Sequence, residues 1–103
     1  MWAQLITTKL KPGKEAGIAT LIEQLRATEQ PGSGLVRSLA MRDKNDPSRV
    51  FMLVVFESEE KARERENDTR RTEGLQAARA TMADIFDGAP EFVDLLVDGE
   101  VVP

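Results

Sequence analysis

The 103-residue chain contains no cysteine, no histidine and no tyrosine. Without cysteine there is no disulfide, no thiolate metal site and no cysteine nucleophile. Without histidine the commonest metal ligand and the commonest general base near neutral pH are gone, and without tyrosine so is the phenolic acid. Chemistry in this chain falls to carboxylates, Lys, Arg, Ser, Thr, Asn, Gln, backbone groups or a bound molecule. No stretch approaches the roughly 20 apolar residues of a membrane-spanning helix. The opening MWAQLITTKLKPGK also lacks the basic-then-apolar order of a secretory signal. The expectation is a cytoplasmic protein with no membrane partner. A net charge of −4 speaks against a nucleic-acid surface, which needs a net basic face.

What is present is ordinary for a globular protein: 41% hydrophobic and 31% charged residues, with seven Gly and five Pro. The length allows one domain, taken as residues 1–103, with one modest core. Charge is unevenly spread. Residues 1–56 carry eight basic and five acidic side chains, whereas 80–103 carry six acidic and none basic. That end reads either as a solvated acidic tail or as a surface paired with a basic partner.

Residues 2–10, WAQLITTKL, alternate as a strand and stop at Lys11-Pro12-Gly13. Ile18, Leu21, Ile22 and Leu25 follow helical spacing, predicting a helix over about 14–29 that Pro31 terminates. LVRSLAMR (35–42) and VFMLVVF (50–56) read as strands joined by the turn DKNDPS, an antiparallel hairpin. Ser58 is a good N-cap, with Glu59 and Glu60 where the helix dipole favours anions. The next segment, 58–74, has almost no apolar face. It reads as a solvent-lying helix held by Glu59/Arg63 and Glu66/Arg70 pairs, with a break near 67–69. Leu75, Ala78, Met82, Ile85 and Phe86 resume a helical stripe until Asp87-Gly88-Ala89-Pro90 closes it. A last strand follows over 91–103, with Gly99 as a bulge or bend. The order is β-α-β-β-α-β, a ferredoxin-like α+β sandwich with a four-stranded antiparallel sheet.

The run from Val50 to Phe56 is apolar at seven successive positions. Helices can cover only one set of alternating side chains, either Val50, Met52, Val54 and Phe56 or Phe51, Leu53 and Val55. The other set, left wet, would form a larger apolar patch than monomers usually tolerate. Covering about 600 Å² is worth on the order of 15 kcal/mol before association costs. A homodimer packed through the sheet face is expected; the plainer alternative is a strand that is merely central, with Arg37 or Arg42, Thr7 and Asp94 making the outer face polar enough.

Several short stretches resemble the antibiotic biosynthesis monooxygenase-like family. They are Met1-Trp2-Ala3, Thr7-Thr8, Pro12-Gly13-Lys14, Pro31-Gly32 and above all Phe56-Glu57-Ser58-Glu59-Glu60 with Ala62 and Arg63, where the family commonly carries W-E-S-E-E. The resemblance implies a dimeric α+β barrel with a cavity between sheet and helices in each subunit. It also implies, for some members, oxygenation of aromatic compounds without metal or flavin, hence no cofactor. Related members degrade haem, but the absence of histidine excludes a histidine-ligated haem. Asn67 stands roughly where a polar helix residue of the oxygenating members faces the cavity.

Cofactor-free oxygenation needs a substrate that yields an electron-rich anion and a dry pocket with polar groups near the charge. The candidates here are Arg37 (or Arg42), Asn67 and Arg71, with Trp2 and Phe56 as apolar walls. Each has a plainer alternative: a helix break or cap for Asn67, surface pairing for Arg71, core or interface packing for Trp2. The acids Glu57, Glu59 and Glu60 read as cap and dipole residues, and no metal is expected. The ligand would be a small hydrophobic or aromatic compound, and a binding protein without catalysis is the competing reading.

Overall fold

The computed structural model describes residues 1–103. Strand β1 (Trp2–Leu10) leads through helix α1 (Ala16–Thr28) to a hairpin of β2 (Leu35–Arg42) and β3 (Arg49–Phe56). Helix α2 (Glu59–Glu66), a single 3-10 turn (Thr69–Arg71), helix α3 (Thr72–Ile85) and strand β4 (Phe86–Leu96) complete the chain. The sheet order is β2-β3-β1-β4, and every neighbouring pair is antiparallel. This is the expected ferredoxin-like α+β fold. No helix is long and apolar enough to cross a membrane.

Alternation along the strands assigns the two faces. Trp2, Thr8 and Leu10 of β1 and Val50, Val54 and Phe56 of β3 are buried on the helix side. The opposite, outer face carries Leu5, Leu53 and Leu39 in one cross-strand file, with Phe51 paired to Met41 and Leu5 to Val93. Leu39, Met41, Val93 and Leu95 are 37–49% exposed there. Helices therefore cover the set that begins with Val50, and the outer face is apolar and uncovered in the single chain.

The helix-side core is divided in two. Leu10, Leu21, Val50, Ala78 and Ile85 form one cluster, and Trp2, Val54, Phe56 and Ala62 form the other. In the first, α1 and α3 approach closely because Gly17 lies against Ile85: a Cβ built on Gly17 would sit 2.5 Å from Ile85 Cγ2. Gly74 likewise lies against Thr28 at the other end of the helix pair.

Helix α2 starts as the sequence predicts, with Ser58 Oγ accepting from the Lys61 amide at 3.1 Å. It is not simply solvent-lying. Ala62 is buried beside Trp2 and Phe56, and the guanidinium groups of Arg63 and Arg65 stack over the Trp2 and Phe56 rings at 5.3 and 5.4 Å. Arginine can thus dock a charged helix on an aromatic core while its head stays polar. The Glu59–Arg63 pair forms (3.4 Å), but Glu66–Arg70 does not. The helix ends between those two, so Arg63 takes Glu66 (2.9 Å) and Arg70 takes Asp68 (2.7 Å).

The C-terminal part differs from expectation. Asp87-Gly88-Ala89-Pro90 is not a closing turn but a bulge inside β4, which already begins at Phe86. Thr7 pairs with Glu91 and Lys9 with Asp87, so residues 88–90 bow out opposite Thr8, and Gly88 takes φ +80° to allow it. The strand ends at Leu96, so Gly99, Val101 and Val102 lie beyond it. Nor is the acidic end wholly solvated: Asp84 pairs with Lys14 (3.1 Å) and Asp94 with Arg63 (3.5 Å).

Candidate functional site

Between the sheet and the helices, where the two clusters leave a gap, lies a cavity of about 740 Å³. Twelve of its twenty lining residues are hydrophobic, and both size and lining fit a small-molecule site. Ile6, Met52 and Val54 form its floor on the sheet; Ile22, Leu25 and Met82 form the helical roof. The β4 bulge contributes Gly88 and Pro90, and the paired strand after it contributes the exposed Phe92. The polar groups in the wall are Thr8, Ser38, Arg26, Glu29, Arg65 and Arg71.

The charged part of the wall joins α1 to α2. Glu29, just past α1, accepts from Arg65 Nε at 3.0 Å and Nη2 at 2.8 Å. Burial alone would raise the Glu29 pKa, but hydrogen bonding to Arg65 and the charges of Arg65 and Arg71 outweigh it and hold the carboxyl below its ordinary value. Arg26 turns outward to Glu23, and both side chains are exposed.

Arg71 is different. The residue is only 5% exposed. Its Nη1 donates to the Arg65 carbonyl at 3.2 Å, its Nε has no partner, and no carboxylate pairs with it. Burial, reinforced by the Arg65 charge, lowers its pKa from the ordinary arginine value. Asp68 takes Arg70 instead, and its side chain caps the 3-10 turn by accepting from the Arg70 amide at 3.0 Å. That turn carries Arg71 inward.

Of the five residues singled out from the sequence, Arg71 alone lines the cavity. Asn67 is exposed at the C-cap of α2, where its side-chain amide donates to the Arg63 carbonyl at 3.0 Å. Arg37 is exposed on β2 opposite Val55, which puts it on the outer face, with the sheet between it and the cavity. Trp2 and Phe56 are buried with their ring centroids 6.0 Å apart, in the cluster at one end of the cavity but not in its wall.

The sequence reading missed Thr8, Ser38, Glu29 and Arg65. The hydroxyl of Thr8 is buried without a hydrogen-bond partner, at the position of β1 that the β4 bulge skips. Glu29 carried a weak signal, as an acid at the C-terminal end of a helix, where the dipole disfavours it. Arg65 carried none, since its partner is 36 positions away. No three acidic side chains gather as a metal cluster would require.

No family model and no curated protein sequence matches the chain. Solved structures do. A Nitrosomonas europaea protein provisionally named an antibiotic biosynthesis monooxygenase superposes with TM-score 0.75 at 15% identity, over 96% of this chain and 100% of its own. A second protein from that organism, of unknown function, gives TM-score 0.73 at 20% identity over 99% and 93%. SnoaB of Streptomyces nogalater, a cofactor-independent oxygenase crystallised as a mutant, gives 0.71 at 12% over 97% and 95%. The chain thus has the fold of proteins named antibiotic biosynthesis monooxygenases, as its short sequence motifs suggested.

Proposed function

We propose that the cavity binds a small aromatic or quinol-type compound and that the chain oxygenates it with molecular oxygen, with no metal or flavin of its own. The observation that carries this reading is an apolar chamber of about 740 Å³ whose wall holds a buried, unpaired cation, Arg71. In such a reaction the substrate first loses a proton to become an electron-rich anion. Oxidation of a methylene to a carbonyl then supplies all four electrons that dioxygen takes: one oxygen atom stays in the product and the other leaves as water. The apolar walls hold the ring, and Arg71 stabilises the anion as it forms. Glu29 is the one carboxylate in the wall to receive the proton. The fold shared with SnoaB supports this chemistry. The same reading includes a homodimer formed through the outer face of the sheet, which would cover Leu39, Leu53 and Val93.

One observation favours a second reading, binding of a small hydrophobic metabolite without turnover. Glu29 is held by Arg65 with its pKa lowered, which makes it a weak base. Mass spectrometry of co-purifying metabolites, followed by oxygen-uptake measurements with each hit, separates the two. Uptake that disappears in Arg71→Ala supports oxygenation. Binding with no uptake decides for sequestration, and a chain that binds nothing in this cavity overturns both.

A further inference from the structure

We infer that the ligand of this cavity carries a carboxylate on an apolar body, and that Arg71 receives the carboxylate. The inference rests on the cavity being a ligand site and adds the charge and chemical class of what enters it.

The wall contains three cations and one anion: Arg26, Arg65 and Arg71 against Glu29. Arg65 uses Glu29, through two nitrogens at 3.0 and 2.8 Å. Arg26 uses Glu23 at the surface. Arg71 is left as a guanidinium, 5% exposed, with no carboxylate partner, one hydrogen bond to a neutral carbonyl and a buried Nε bonded to nothing. Such an arrangement is costly, because a buried charge is normally paired and a buried donor normally bonded. A structural role accounts for only part of it: Nη1 on the Arg65 carbonyl ties the 3-10 turn to the end of α2, a task that a neutral donor performs as well. Within the chain the charge acts only at a distance, on Glu29 and Asp68, and no carboxylate bonds the guanidinium.

A carboxylate entering the cavity supplies the missing counter-charge. The planar guanidinium matches a planar carboxylate in geometry and charge, and the burial of Arg71 strengthens the attraction. Ile22, Leu25, Met52, Met82 and Phe86 define the rest of the space as a site for rings or aliphatic carbon.

The probes are 2-naphthoate and 2-naphthamide, alike in shape and opposite in charge character, titrated calorimetrically into the intact protein at pH 7. The naphthoate is expected to bind more tightly by about tenfold or more, the scale of a charge-assisted hydrogen bond. R71M should abolish that preference while still binding the amide, and R71K should retain part of it. Equal affinity of the two probes for the unaltered protein overturns the inference and leaves the cavity reading standing. Preference for the acid that persists in R71M also overturns it. Binding of neither probe overturns both the inference and the cavity reading. Should R71M not fold, side-chain NMR on the unaltered protein decides: the Arg71 Nε–H resonance must shift with naphthoate and not with the amide, and an unmoved resonance refutes the assignment.

Discussion

Leu39 of β2 stands directly opposite Leu53 of β3 on the face of the sheet that no helix covers. Leu53 also pairs with Leu5 of β1, and Leu5 with Val93 of β4, so one apolar file crosses all four strands. A second copy packed on this file would remove it from water, each Å² contributing roughly 25 cal/mol. At micromolar concentration the protein is expected to sediment at twice its 11.4 kDa chain mass. Leu53→Asp, which places an unpaired charge at the centre of the face, should convert it to monomer with its helical circular dichroism retained. Sedimentation velocity checks this, and an unchanged dimer for Leu53→Asp refutes an interface centred on the sheet.

The same file shows what was legible in the chain beforehand. Seven successive apolar residues, Val50 to Phe56, read as a central strand apolar on both faces, and strand alternation fixed which residues travel together. Which set faced the helices was not legible, because Val50, Phe51 and their neighbours are chemically alike. The stretch that follows the second long helical pattern was misread for a physical reason. Asp-Gly-Ala-Pro is a helix-stopping sequence, and α3 does stop just before it, at Ile85. Yet the strand pairing with β1 tolerates Gly88 and Pro90 as a bulge on an edge strand, so the sheet begins where a loop was expected.

The contact of Gly17 with Ile85 predicts a stability effect that no helix propensity scale anticipates. Alanine in place of a helical glycine usually helps, but here even a Cβ would sit 2.5 Å from Ile85 Cγ2. Gly17→Val, with two further methyl groups, should force α1 away from α3 and cost about 1–3 kcal/mol, the usual range for overpacking. For a domain of this size that is about 4–8 °C in Tm per kcal/mol. Differential scanning calorimetry measures it, and an unchanged Tm would show that the helices separate freely.

Glu29 and Arg65 show why the candidate site was harder to read than the fold. Hydrophobic spacing is local, whereas this ion pair joins residues far apart in sequence, so nothing near either residue announces the other. Arg71 was visible only as one arginine among several in a charged stretch; its burial depends on the 3-10 turn that the break after Glu66 creates. Asn67, the more conspicuous residue, is spent on capping that break.

Glu29→Gln should remove a charge-assisted pair whose side chains are 17% and 26% exposed, costing about 1–3 kcal/mol at pH 7. The folded pKa of Glu29 lies below its ordinary 4.5. Its contribution is therefore complete above 4.5 and is lost as pH falls through the lowered folded value. The two proteins should differ most at neutral pH and converge in acid. Urea unfolding between pH 7 and pH 3 tests this; a stability gap that widens on acidification would contradict the assigned direction.

Asp68 reports on the turn that delivers Arg71 to the cavity. Its side chain binds Arg70 Nη2 at 2.7 Å and the Arg70 amide at 3.0 Å, and hydrogen bonding to Arg70, first through the side chain and then the backbone, lowers its pKa from 3.8 to about 2. A carbon-detected NMR titration should place the Asp68 midpoint near 2, well separated from carboxyls titrating at the ordinary aspartate value. Since the folded pKa is depressed, the stabilisation is full above 3.8 and vanishes as pH falls through about 2. Asp68→Ala should destabilise the protein at neutral pH, with the deficit disappearing at the acid end of that window. It should also weaken naphthoate binding, because a frayed turn no longer holds Arg71 in the wall. Full naphthoate affinity in Asp68→Ala would mean that the cap and the position of Arg71 are independent, and that α3 alone sets where the guanidinium lies.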